Sequence, residues 1–141
     1  MTRLHAIAAA GLFSLLAPAF GAASTPAPAP RVEPSNGPWT YVAIFDGGGF
    51  FYDEASIRRD VDPDGREYIA VWVLITERDG AMLVKLDTDC AGNRQRVGHI
   101  VQENADRKRT SQTPGVSEWG KTRPGQPADR MREIVCSAAR E

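Results

Sequence analysis

The sequence has no excess of charge of either sign. Its 17 lysines and arginines against 18 aspartates and glutamates give a formal net charge of −1 over 141 residues. Nucleic-acid-binding proteins usually carry a clear basic excess, and disordered acidic tails carry the opposite one, so the balance disfavours both classes. Hydrophobic residues at 42% and charged residues at 25% are ordinary for a globular protein, and this length predicts one domain.

Apolar runs long enough to span a bilayer are also missing. A transmembrane helix needs about 20 apolar residues, whereas the run at residues 6–16 is soon followed by Pro18. Arg3 precedes that run, and three small residues follow it: Gly21, Ala22 and Ala23. This order is typical of a cleaved signal peptide over residues 1–23. We therefore expect an exported protein, periplasmic, secreted or at the cell surface, without a transmembrane segment.

The motifs of common catalytic centres do not occur. GxSxG, HExxH, GxGxxG and the phosphate-binding loop are all missing from the sequence. His99 is the only histidine after the predicted signal peptide, and it falls in a predicted strand, where we expect it at the solvent or at the edge of the core. We therefore expect a protein that is not an enzyme and has no cofactor and no metal.

Cysteine is scarce, and both copies lie in the predicted mature chain, at Cys90 and Cys136. Two cysteines in an exported domain normally form a disulfide. A bridge over this separation would stabilise the fold by roughly 4 kcal/mol on the loop-entropy model. A catalytic thiol is the weaker alternative, because a cysteine nucleophile usually needs a histidine partner.

The rest of the chain divides into a linker and a domain. Residues 24–38 contain five prolines, which favour an extended tether, and the domain is expected over residues 39–141. Runs rich in aromatic and β-branched residues predict strands, which lie at 39–45, 49–53, 67–76, 81–90 and 94–102. In residues 81–90 polar and apolar residues alternate, which predicts a strand whose solvent face carries Lys85, Asp87 and Asp89.

Two helical segments are predicted. Asp53 is placed to cap one turn over residues 54–57. Pro127 and Asp129 suit the first turn of a helix over residues 127–138, whose apolar stripe comprises Met131, Ile134, Val135 and Ala138. The fold class is therefore α+β: an antiparallel β-meander with a short N-terminal helical turn, a C-terminal helix packed on one face and one disulfide.

The segment from Asp60 to Gly65 imitates the start of a calcium loop, with carboxylates at Asp60, Asp62 and Asp64. The calcium motif also needs a glutamate at its twelfth position, which is Val71 here. Aspartate and glycine are equally typical of a turn before a strand. The turn is the favoured interpretation, and calcium binding stays the alternative.

A polar stretch at residues 103–118 is longer than most connections, and such loops are often functional. It contains a basic run, and two further basic residues follow: Arg107, Lys108, Arg109, Lys121 and Arg123. We interpret these five residues as a candidate positive patch able to attract an acidic glycan or an acidic protein. A solvated loop without a ligand is the alternative.

The order of these segments resembles the surface-adhesin protein E family of proteobacterial exported domains. The resemblance rests on Phe51-Tyr52-Asp53, Ser56-Ile57-Arg58-Arg59, Val71-Trp72-Val73-Leu74, Asp89-Cys90, Arg94, Arg96, Trp119, Pro124-Gly125 and Val135-Cys136. It implies an antiparallel sheet flanked by short helices and closed by one disulfide. It also implies an adhesin that binds host matrix proteins and epithelial cells.

Together these features predict a non-catalytic exported binding domain, adhesin-like, that uses an exposed sheet face and the basic loop. The chain lacks the lipid-anchoring cysteine of a surface lipoprotein near the predicted cleavage site. The alternative is therefore a periplasmic, envelope-associated structural or interaction protein with no host ligand, with a homodimer through sheet edges as one form.

Overall fold

The computed structural model describes residues 33–115 and 117–141. The predicted signal peptide and the first part of the predicted linker lie outside these residues. The described chain forms eight strands, one 3₁₀ turn and one α-helix: β1 Thr40–Phe45, β2 Gly48–Tyr52, the turn Glu54–Ser56, β3 Arg58–Val61, β4 Glu67–Glu77, β5 Gly80–Asp89, β6 Arg94–Asn104, β7 Arg109–Pro114, β8 Gly120–Lys121 and α1 Pro127–Ala138. Within this part of the chain, no helix is long and apolar enough to cross a membrane.

The strands form one antiparallel sheet in the order β1-β2-β4-β5-β6-β7. The two remaining strands share edges that are already occupied. β3 pairs with the first half of β4, alongside β2 on the second half. β8 pairs with the first residues of β6, on the edge whose other end carries β7. The predicted α+β meander is confirmed, and β3, β7 and β8 are additions to it.

The predicted hairpin between the first two strands turns at Asp46 and Gly47, both with positive φ. Such a two-residue turn matches the twist of a β-hairpin. Gly48 then passes so close to β4 that an added Cβ would lie 1.7 Å from the Thr76 carbonyl oxygen. The predicted cap after β2 is also present, since the Asp53 carboxylate accepts a hydrogen bond from the Ala55 amide at 3.0 Å.

The main core lies between α1 and one face of the sheet. Alternate residues of β4 and β5 meet buried residues of α1 there: Ile69, Val71, Val73, Val84, Leu86, Met131, Val135 and Cys136. The predicted helix span is confirmed, although Ala138 at its end is exposed rather than part of the apolar stripe. The predicted Cys90–Cys136 disulfide is present, with 5.7 Å between the two Cα atoms, and it joins the end of β5 to α1.

The opposite face of β5 is not the solvent face predicted for it. Asp87 and Asp89 are buried and Lys85 is partly buried, while Leu83 belongs to a second core cluster with Trp72, Leu74, Ala81 and Val101. The alternation of polar and apolar residues in β5 therefore distinguishes a face with buried charged groups from a buried apolar face. It does not distinguish a solvent-exposed face from a buried one.

The second face is covered because the sheet curls. Just before β1, Glu33 pairs with Arg109 of β7 at 3.0 Å, while Ser35 donates to Asp53 at the end of β2. Glu33 and Ser35 are only two positions apart in the chain. They thus connect β7 with the end of β2, although three strands separate β2 from β7 in the sheet order. Pro34 between them is buried, so residues 33–38 of the predicted linker pack on the domain.

The pairing of β5 with β6 contains a bulge. Lys85 lies opposite His99 and Leu86 lies opposite Val97, which leaves Gly98 as the extra residue. An added Cβ at Gly98 would lie 3.1 Å from Asp87 Oδ2. The absence of a side chain here lets the Asp87 carboxylate lie against the β6 backbone.

Candidate functional site

The β5–β6 hairpin brings opposite charges into register. Asp87 lies opposite Arg96 and Asp89 lies opposite Arg94. Arg96 Nε donates to Asp87 Oδ2 at 3.1 Å, and Arg94 donates to Asp89 Oδ2 at 2.9 Å. Alternate aspartates before a tight turn and alternate arginines after it are a sequence signal for this ladder, but the signal shows only when the two strands are considered as a pair.

Three more charged side chains join this ladder. Lys85 Nζ lies 3.4 Å from Asp87 Oδ1, Arg96 lies 3.7 Å from Asp62 Oδ2, and Arg66 lies 3.7 Å from Asp89 Oδ2. We call the whole set the charged cluster: Asp62, Arg66, Lys85, Asp87, Asp89, Arg94 and Arg96. It holds four cationic and three anionic groups, so its charges nearly balance one another.

Aromatic rings cover the charged cluster. The Arg96 guanidinium lies 4.3 Å from the centre of the Trp119 ring and 4.9 Å from that of Tyr68, and the two rings meet edge to face at 6.1 Å. Stacking on aromatic faces suits a guanidinium because it is planar and weakly hydrated. Burial raises the pKa of the Tyr68 phenol, and the negative charge of Asp87 raises it further. Tyr68 is therefore a poor proton donor.

Burial works against the charged form of Asp89, but its partners outweigh that effect. The Gly92 amide donates to its Oδ1 at 2.9 Å and Arg94 donates to its Oδ2. These two hydrogen bonds hold the pKa of Asp89 below its usual value. The same holds at Asp60, whose pKa is lowered mainly by the hydrogen bond from the Val61 amide. Both carboxylates are structural acceptors, not proton carriers.

His99 is buried, which corrects its expected place at the solvent or the core edge. Its ring meets Trp72 edge to face at 6.1 Å, and within the described residues its Nε2 has no hydrogen-bond partner. The ring faces the interior of the curled sheet, on the side of Lys85. A histidine in this position is out of reach of a substrate in solvent.

The aspartates of the calcium-like segment are used by a turn. Asp62 Oδ1 accepts hydrogen bonds from the amides of Asp64 and Arg66, each at 3.1 Å, while Asp60 lies in β3. The predicted turn is therefore formed. Across residues 33–115 and 117–141, no three His, Cys, Asp or Glu side chains lie close enough together to hold a metal ion.

The five basic residues predicted as a patch are split between the two ends of β6. Arg107 and Lys108 lie in the turn after β6, and Arg109 begins β7. Lys121, followed by Arg123, pairs with Arg94 at the start of β6, roughly 30 Å away along the strand. The structure therefore does not bring the two groups together.

The prediction of a long loop at residues 103–118 is also wrong, because most of this segment forms the β6–β7 hairpin. β7 carries polar residues with two threonines, so it lacks the apolar alternation that identifies a strand in sequence. Within this hairpin Arg107 donates to Glu103 at 2.7 Å, and Arg109 is paired with Glu33. Two of the three basic charges of the run are thus already compensated.

A cleft of about 420 Å³ lies beside the disulfide, between the end of α1 and the ends of β4 and β5. We call it the arginine cleft because three arginines line it: Arg59, Arg132 and Arg140. Glu67, Ile69 and Ala139 also belong to the lining. Asp129 and Asn93 hold the Arg132 guanidinium at 3.0 to 3.1 Å. Arg59 donates to the Ala139 carbonyl, and Arg140 Nε donates to the Cys136 carbonyl at 3.2 Å.

Comparison with known proteins gives no relative. No family model matches the sequence, and no curated protein and no solved structure matches it either. The resemblance to the surface-adhesin protein E family therefore stays a prediction. The structure defines a class only: a curled antiparallel sheet whose C-terminal helix is joined to it by a disulfide, a bond typical of proteins outside the reducing cytosol.

Proposed function

We propose that this protein is a non-catalytic exported binding domain that contacts another protein through the outer strand β1. The observation that carries the proposal is the exposure of two large apolar side chains on the same face of β1, 57% for Tyr41 and 74% for Ile44. Exposed apolar groups that lie together are typical of interaction sites. Tyrosine and phenylalanine are enriched where proteins meet.

Pairing with β2 explains why these side chains stay exposed. Tyr41 lies opposite Phe51, and the two rings meet at 5.6 Å. Ile44 lies opposite Gly49 on the same face of the hairpin, and a glycine offers it no side chain to pack against. Tyr41, Ile44 and Phe51 therefore share one face of the hairpin, and we call these three residues the β1 patch.

Three further observations support a role without catalysis. Both cysteines are bonded to each other, so neither offers a nucleophilic thiol. His99 is buried against Trp72, which removes the most common general base from contact with a substrate. The charged cluster is nearly balanced and lies under aromatic rings, so it stabilises the fold instead of attracting a ligand.

The β1 patch serves either expectation drawn from the sequence. An adhesin that binds a host matrix protein needs an exposed contact surface, and so does a periplasmic interaction protein. Binding of an acidic glycan by the basic residues is a weaker proposal, because Arg107 and Arg109 already have carboxylate partners. The β1 patch replaces the exposed sheet face as the contact surface, since that face is buried.

Photo-crosslinking in the producing cells tests the proposal. A photoreactive residue at Ile44 is expected to give a discrete adduct with one other protein on the intact envelope, and Tyr41→Asp is expected to remove it. Val61, another exposed apolar residue on a different strand, β3, serves as the matched position. The same adduct from both positions, or none from Ile44, would contradict the proposal. An adduct between two copies of this chain would replace it by the homodimer.

Export is tested separately by locating the protein and sequencing its N-terminus. We expect a chain cut near residue 23 in the periplasm, in the medium or at a protease-accessible cell surface. An uncut chain in the cytosol would contradict export.

A further inference from the structure

We infer that the arginine cleft binds a small organic anion, one with an acidic head group on an apolar body. This site is distinct from the β1 patch. Its support is a cavity of ligand size beside two guanidinium groups that have no carboxylate partner in the described part of the chain.

The two guanidinium groups have most of their donors left. Arg59 and Arg140 each make one hydrogen bond, to main-chain carbonyls in the last turn of α1 and just after it. An arginine carries five N–H donors in a planar fork, so four remain on each side chain. By contrast, Arg132 in the same lining is bonded to both Asp129 and Asn93.

The carboxylates of the cleft do not cancel this positive charge. Asp89 is held by Gly92 and Arg94, with Arg66 at 3.7 Å, so it is not free to pair with Arg59 or Arg140. Glu67 is the other carboxylate of the lining. Three cationic and two anionic side chains therefore line the cleft, where Asp89 is already engaged and Glu67 is exposed to solvent.

The remaining lining favours an apolar body on the ligand. Ile69, Ala139 and the Cys90–Cys136 disulfide contribute apolar surface beside the arginines. A volume of about 420 Å³ is within the usual range of small-molecule sites. A carboxylate, sulfate or phosphate head group matches the guanidinium fork, because two parallel N–H···O bonds form at once.

Arg59 and Arg140 also stabilise the C-terminal end of α1, where a positive charge is favourable. That role affects unfolding, whereas the inference concerns affinity, so the two are measured separately. Glu67 makes the distinction sharper, because removal of its charge should raise affinity for an anion, a gain that a damaged fold would not produce.

The experiment is an NMR titration of the oxidised protein with octanoate, with octanol as the neutral match and inorganic phosphate as a head group alone. We expect octanoate to shift the amides of Arg59, Ile69 and Arg140 and to bind at least tenfold more tightly than octanol or phosphate. Equal binding of octanol would overturn the ionic part of the inference. Equal binding of phosphate would overturn the apolar part.

Variants then assign the site. We expect Arg59→Gln combined with Arg140→Gln to weaken octanoate binding at least tenfold, and Glu67→Gln to strengthen it. Arg130→Gln is the matched control, since Arg130 lies on the exposed side of α1, paired with Glu133. Unchanged affinity in the double variant, or an equal loss in Arg130→Gln, would overturn the inference.

Discussion

The Arg96 guanidinium donates to Asp87 Oδ2 at 3.1 Å, and both side chains are almost withdrawn from water, with 12% and 2% exposure. The attraction between them is strong in such a setting, but so is the cost of removing either charge from water. The loss of one partner alone is therefore costly, even where the intact pair adds little net stability.

Replacement of Asp87 by asparagine is expected to destabilise the protein by about 3–5 kcal/mol, since Lys85 would lose its carboxylate partner and Arg96 would keep only the more distant Asp62. Urea unfolding of the oxidised protein measures the loss. Glu133→Gln is the control, because its pair with Arg130 is exposed and should be worth under about 1 kcal/mol. Equal losses in the two variants would contradict this account.

Gly48→Ala is expected to lower the free energy of unfolding by about 1–3 kcal/mol. The new Cβ would lie 1.7 Å from the Thr76 carbonyl oxygen, so the β2 and β4 backbones would have to separate. Gly120→Ala provides the comparison, since nothing lies within 4 Å of a Cβ there. Thermal unfolding followed by circular dichroism measures both variants, and a neutral Gly48→Ala would show that the two strands are not held so closely.

Replacement of both Cys90 and Cys136 by serine is expected to cost about 2–4 kcal/mol, because the bridge restricts the unfolded chain over a separation of 46 residues. Guanidinium unfolding of the variant is compared with oxidised and with reduced wild type. The variant and the reduced protein should unfold together and below the oxidised protein. A variant as stable as the oxidised protein would remove the disulfide from the account of stability.

Stability is expected to fall in acid partly through Asp89. Its pKa in the folded state lies below the ordinary 3.8, so the folded state favours the ionised form. The stabilisation that ionised Asp89 gives the folded state is complete when the pH is above that ordinary pKa. It is lost as the pH falls through the lower pKa of the folded state. Unfolding by urea at a series of pH values measures this, with a shallower acid slope expected for Asp89→Asn. An identical slope in the variant and wild type would assign the acid sensitivity to other carboxylates.

Sequence reasoning located the elements that carry a strong apolar signal, whether a long run or a clear period. β4 is a long unbroken apolar run, and α1 carries apolar residues at helical spacing after a first-turn proline. β3 and β7 were missed because short polar strands at a sheet edge have no apolar face to reveal them.

The site was harder to predict because burial depends on contacts between distant segments. Lys85, Asp87 and Asp89 alternate with apolar residues, as on a solvent face, yet the curl of the sheet covers them. The arginine cleft likewise joins Arg59 of β3 to Arg140, 81 positions later, and no local pattern relates these two residues. The basic run at Arg107 was visible in sequence, but its partner Glu103 lies across a turn.

The β5–β6 bulge imposes an evolutionary constraint as well as a structural one. A side chain at position 98 would press against the Asp87 carboxylate, which would have to move by a few tenths of an ångström to admit even a Cβ. Once homologous chains are aligned, positions 87 and 98 should therefore covary, and a lineage that loses the aspartate should no longer retain the glycine.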